Sequence, residues 1–179
     1  MRNKPKLFLC GHRKCGTTLF GNLFDGHEEL SVFPTDLSIF YGYYPAYIQG
    51  NYSKEEKLAR LESVMFLNLQ RVFDVDDLNI LNKVDLKKVR KIFYDNFNEK
   101  DLNRIDKILD TYLFSFFSVV DKNYKSTKWD VVKETSIEIY AQEINQLYPD
   151  CKFIQIIRDP RDNYASIKAG SEKHYSRFG

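Results

Sequence analysis

Gly11-His12-Arg13-Lys14-Cys15-Gly16-Thr17-Thr18 combines two glycines, a lysine and two threonines at a spacing suited to gripping an anion. Before it lies Lys6-Leu7-Phe8-Leu9-Cys10, a short apolar run that reads as a buried parallel strand. After it, Leu19, Phe20, Leu23 and Phe24 recur at the spacing of one helical face, predicting a helix over Thr17 to Phe24. A helix start offers unpaired N–H groups and partial positive charge, and a Gly-rich approach lets the backbone wrap a phosphate. The two glycines match the nucleotide loop G-x-x-x-x-G-K-[ST], but Thr17 follows Gly16 and the lysine has moved inside the loop to Lys14. In an NTPase the lysine after the second Gly reaches the β/γ-phosphates and the next hydroxyl holds Mg²⁺. ATP or GTP hydrolysis by a P-loop kinase or NTPase therefore loses support. The plain alternative is a strand–helix turn that simply needs glycine.

A second segment, Ile156-Ile157-Arg158-Asp159-Pro160-Arg161-Asp162-Asn163-Tyr164-Ala165-Ser166, runs from a strand end into a helix started by Asp159 as N-cap and Pro160 at the first position. Arg suits phosphate because its fork donates two parallel hydrogen bonds. Arg161 reads as exposed, paired with Asp162 or solvent. Together the two segments resemble the sulfotransferases that use 3′-phosphoadenosine 5′-phosphosulfate (PAPS). Gly-x-x-Lys-x-Gly-Thr-Thr is similar to their 5′-phosphosulfate loop, and Arg158 with Ser166 eight residues later is similar to their 3′-phosphate motif. The motifs occur in the family's order, over a span from Lys6 to about Gly170.

The resemblance implies transfer of a sulfuryl group from PAPS to a hydroxyl or amine of a small-molecule or carbohydrate acceptor, with no metal. It implies donor binding by Arg13, Lys14, Cys15, Gly16, Thr17 and Thr18 at the 5′ end and by Arg158 and Ser166 at the 3′ end. Lys14, a compact point charge, is the candidate for stabilising the leaving-group oxygens. The acceptor needs a base, which across sulfotransferase branches is a His or an acidic residue. Asp36, in Phe33-Pro34-Thr35-Asp36, lies near where the acidic base falls in carbohydrate and tyrosyl-protein sulfotransferases; it could equally cap the segment that follows. Glu134 is the second candidate, with capping or ion pairing as its other reading. Cytosolic sulfotransferases carry their catalytic His in that segment, and here there is none. Lys133 is read either as a sulfuryl contact or as half of an ion pair. His12, His27 and His174 are weaker candidates. Tyr41-Gly42-Tyr43-Tyr44-Pro45-Ala46-Tyr47 either walls the acceptor site or packs under neighbouring helices.

The elements that must position these groups follow from the apolar pattern. Leu30 to Phe33 reads as a second strand, Trp129 to Val132 as a third and Phe153 to Ile157 as a fourth. Between about 53 and 122 a charged stretch repeats apolar residues at helical intervals, predicting a helical insert of about three helices. Ile137 to Tyr148 reads as one helix, and the last helix is expected to stop near Gly170. The expectation is an α/β fold, three αβα layers around a parallel sheet, in one domain over 1–179. Family members carry further helices and a Gly/Lys loop after the Arg/Ser motif. The sequence reaches Gly179 soon after that motif, so a chain lacking the family's C-terminal part is expected, and a non-catalytic nucleotide-binding domain is the rival reading.

Composition narrows the partners. Lys plus Arg number 27 against 25 Asp plus Glu, a net charge of +2, which argues against a nucleic-acid coat or a polybasic membrane binder. Tyr112 to Val120 comes nearest to a membrane span and falls far short of ~20 apolar residues. The three cysteines (Cys10, Cys15, Cys151) show no Cys-x-x-Cys and read as free thiols of a cytoplasmic protein.

Overall fold

The computed structural model describes residues 4–44, 52–67, 69 and 84–175, with side chains of the last helix up to Ser171. Four strands, β1 (Lys6–Gly11), β2 (Leu30–Asp36), β3 (Trp129–Lys133) and β4 (Lys152–Ile156), form one sheet in the order β2-β3-β1-β4. Every pair is parallel. Their carboxyl ends therefore share one edge, where Gly11, Asp36, Lys133 and Ile156 stand together, and ligands of parallel α/β sheets bind at that edge.

Alternation along β1 sends Phe8 and Leu9 to opposite faces. On the Leu9 face lies α1 (Thr17–Asn22), whose buried residues are Thr17 and Gly21. On the Phe8 face the ring of Phe8 stacks on Phe153 at 5.2 Å, and Phe33 of β2 meets Phe116 and Tyr112 at 4.8 and 5.7 Å. Those last two rings belong to α5 (Ile105–Val120), the longest buried helix between β2 and β3. Also between those strands lie α2 (Ile39–Tyr43), α3 (Lys54–Glu62), a π-helical turn at Ser63–Leu67 and α4 (Leu86–Asn96). Ser53 and Glu56 close a capping box at the start of α3, satisfying two orphan N–H groups. The inward positions Leu61, Met65, Val89, Phe93, Ile108 and Leu109 are all buried, as their helical spacing predicts.

The amino end of the sheet is pinned by charge. Lys6, 1% exposed, pairs with Asp130 of β3 at 2.8 Å and Asp110 of α5 at 3.0 Å. Removing one partner of such a buried cluster typically costs about 3–5 kcal/mol, because the other charge is left unpaired.

Several boundaries differ from the sequence reading. Helix α1 ends at Asn22, and Leu19 and Leu23, read as its inward face, are 71% and 73% exposed. Strand β2 continues through Pro34, which an edge strand tolerates because its missing N–H faces no partner; the register shifts between Val32 and Asp36. The segment read as one helix from Ile137 begins as a 3₁₀ turn, Ile137–Tyr140, before α6 (Ala141–Leu147). The last helix, α7 (Pro160–Tyr175), runs past Gly170.

Candidate active site

The loop after β1 closes tightly. Cys15 N–H donates to the His12 carbonyl at 3.1 Å, and Ser136 N–H, after β3, donates to the Gly11 carbonyl at 3.0 Å. Gly11 has φ +145°, and a Cβ there would sit 2.5 Å from the Ile156 carbonyl oxygen and 2.7 Å from the Cys15 sulfur. No other residue fits that position without moving β4. Lys14 lies in the left-handed region at φ 67°, as do Ser38 (55°) after β2 and Ser136 (58°) after β3. Such conformations cost of order 1–3 kcal/mol each and cluster where function holds them. Here the three follow three adjacent strands at the carboxyl edge. Because α1 spans only six residues, its dipole is small, and any grip on an anion depends on the loop's own N–H groups and side chains.

The segment after β4 folds against this loop. Arg158 Nη1 donates to the Lys14 carbonyl at 3.1 Å and to Ser166 Oγ at 3.3 Å. The two residues singled out eight apart are thus adjacent, and Arg158 ties the pair to the loop after β1 through one guanidinium nitrogen. Asp159 accepts from Arg161 N–H at 2.8 Å as the N-cap expected of it. Arg161 is exposed, as expected, but pairs through Nε and Nη2 with that same Asp159 (3.0 and 2.7 Å) and not with Asp162. The Lys14 stem rests beside α7, its Cε 3.5 Å from where a Gly170 Cβ would stand.

On the other side of the loop, Lys133 Nζ donates to Thr18 Oγ1 at 2.9 Å and pairs with Asp36 Oδ1 at 3.2 Å. Since an ammonium only donates, Thr18 is the acceptor there and keeps its own proton to offer an anion. Asp36 remains 47% exposed in its side chain, open to a solvent-borne partner. Its neighbour Glu134 is 3% exposed and accepts from Ser38 N–H and from Thr135 N–H, the latter at 3.1 Å. It thereby holds the left-handed start of α2. Burial first, and the Asp36 carboxylate second, push the Glu134 carboxyl up to about 8. With a folded value above the unfolded one of about 4.3, the native state keeps an extra proton between them. The associated stability is full at low pH and is lost as pH rises through about 8. The melting temperature of the wild type should therefore fall between roughly pH 5 and pH 8 relative to Glu134→Gln, by several degrees. Parallel melting curves for the two proteins would contradict this.

The aromatic segment after Asp36 packs rather than stands free where it is described. Tyr41 donates to the Thr135 carbonyl at 2.7 Å, and Tyr44 stacks on Tyr140 at 5.4 Å. Positions 45–47 lie outside the described residues. Two site neighbours escaped the sequence reading. Asn163, 6% exposed, bonds to the Arg13 carbonyl and to His12, and Ser136 ties β3 to the loop. The signal for Asn163 was its spacing: three residues before Ser166, it shares that helix face.

A glycine loop at the carboxyl edge of a parallel sheet, an arginine–serine pair bonded to it and carboxylates across from it make an arrangement suited to group transfer. A family profile described as the sulfotransferase family matches residues 5–178, and the chain belongs to that family, whose enzymes move a sulfuryl group from donor to acceptor. No curated protein and no solved structure matches the chain. Among the described residues no cluster of three or more His, Cys, Asp or Glu could hold a metal ion. Among them, too, no helix is long and apolar enough to cross a membrane.

Proposed function

We propose that the chain transfers the sulfuryl group of PAPS to a hydroxyl or amine of a small-molecule or carbohydrate acceptor, releasing 3′-phosphoadenosine 5′-phosphate (PAP). The observation that carries this reading is the Arg158–Ser166 pair, 3.3 Å apart and tied to the Lys14 carbonyl. A donor with phosphates at both ends of one nucleoside needs two anion sites joined in this way. Nη2 and Nε of Arg158 donate to no protein acceptor among the described residues, which leaves a fork for a 3′-phosphate. Arg13, Cys15, Gly16 and Thr17 supply the loop, and Thr18 its free O–H, for the 5′-phosphosulfate.

In the transfer, the acceptor oxygen or nitrogen forms a bond to sulfur as the bond from sulfur to the 5′-phosphate oxygen breaks. Lys14 offsets the charge that gathers on that departing oxygen. Asp36, beside Lys133 and open to solvent, takes the acceptor proton. Glu134 holds the Ser38 turn that follows Asp36. The three cysteines are buried free thiols, compatible with a reducing compartment, and we place the protein in the cytoplasm.

Arg158→Ala tests the reading. Charge-assisted hydrogen bonds to phosphate contribute about 1.5–3 kcal/mol, so PAP affinity should fall roughly 10- to 100-fold. Affinity for AMP, which lacks the 3′-phosphate, should fall by clearly less, since that nucleotide loses only the Arg158 tether on the Lys14 carbonyl. Equal loss for both nucleotides would count against a 3′-phosphate site.

A further inference from the structure

Asn163 belongs by sequence to the segment assigned to the 3′-phosphate, yet its side chain is spent entirely on the 5′ loop. Its Nδ2 donates to the Arg13 carbonyl at 2.9 Å, and its Oδ1 meets His12 Nδ1 at 3.1 Å. With Nδ2 committed as donor, Oδ1 must accept, so His12 donates from Nδ1, which also faces the Arg13 carbonyl at 3.2 Å. Asn163 is itself held by its N–H on the Asp159 carbonyl at 2.9 Å and is 6% exposed, so its rotamer is fixed by its surroundings.

The consequence falls on Lys14. Arg158 anchors the Lys14 carbonyl and Asn163 the Arg13 carbonyl, so the peptide units on both sides of Lys14 are tethered to the same helix start. A trans peptide points its N–H opposite to its C=O, so the tether on Arg13 also sets where the Lys14 N–H faces. Lys14 has φ 67°, a conformation that relaxes unless both neighbours over-determine it. The two tethers differ in one respect. The Arg158 guanidinium would be drawn toward a 3′-phosphate when donor binds, whereas Asn163 carries no charge and has no reason to leave the loop.

We infer that Asn163 is a positioning residue for the 5′-phosphosulfate loop, holding His12, Arg13 and Lys14 in the donor-binding conformation from within the segment that binds the other end of the donor. The inference rests on the donor reading above and assigns to one side chain the mechanical link between the two anion sites.

The test compares the wild type with Asn163→Leu, close in shape but without the amide, by calorimetric titration with PAP, AMP and adenosine 3′-monophosphate. The expected result is an affinity loss of about tenfold for PAP and for AMP alike, with adenosine 3′-monophosphate unchanged. That pattern is the reverse of the one expected for Arg158→Ala, and a general loosening of the fold would not produce it. Equal loss for all three nucleotides, or no loss for AMP, would overturn the inference. If the wild type binds none of the three, the donor reading falls and the inference with it. Should the variant not fold, the smaller change Asn163→Ala takes its place in the same three titrations, read by the same outcomes.

Discussion

Replacing Lys14 by alanine is expected to lower kcat for sulfuryl transfer by about 10²–10³-fold, the usual loss when one donor aimed at developing charge is removed. The melting temperature should be unchanged, for three reasons. Lys14 is exposed, and its carbonyl, which holds Arg158, survives the substitution. Alanine also suffers the same left-handed strain at φ 67° as lysine does, so the loop gains no reason to rearrange. The amino group rests beside α7 at Gly170 and must swing from there toward the donor, which four rotatable bonds allow. Turnover from PAPS to the acceptor that gives the wild type its highest rate is the measurement. An alanine variant with wild-type kcat would remove Lys14 from the chemistry.

Asp36→Asn should cost a similar or larger factor, about 10²–10⁴ in kcat, because the amide cannot accept the acceptor's proton. The pH–rate profile distinguishes this from damage to the site: the limb that reports ionisation of the base should vanish in the variant. Lys133, 7% exposed in its side chain, also loses its countercharge but keeps Thr18 as acceptor, so a modest drop in melting temperature should accompany the kinetic loss. A variant that keeps both the rate and the acidic limb would shift the role to another group. Glu134 is poorly placed to take it over, since both of its oxygens already accept backbone N–H groups.

The parts of this site that could be read from sequence are those whose cause is local. The strand, glycine loop and helix around Lys14 follow from a short apolar run and two glycines, and Asp159-Pro160 announces the start of α7 by capping chemistry alone. Arg158 and Ser166 are paired through resemblance alone, and they stand 3.3 Å apart. What escaped depends on distant parts of the chain. Leu19 and Leu23 have helical spacing, but the sheet approaches α1 at Thr17 and Gly21, where small size rather than apolar character decides the fit. Pro34 ended the second strand on paper, yet β2 is an edge strand and accommodates it. Asn163 gave no sign of its partners because Arg13 lies 150 residues away. That Glu134 is buried against the Ser38 N–H while Asp36 stays half exposed was equally invisible, since it depends on how β2 and β3 come together.

The central claim is that the loop around Lys14 and the Arg158–Ser166 pair form one two-ended donor site. Calorimetric titration of the wild-type chain with PAP, against AMP and Mg·ATP, tests it most directly. The account predicts metal-independent binding with a clear preference for PAP over AMP, by about tenfold or more. Preference for Mg·ATP, or equal affinity for PAP and AMP, would contradict it.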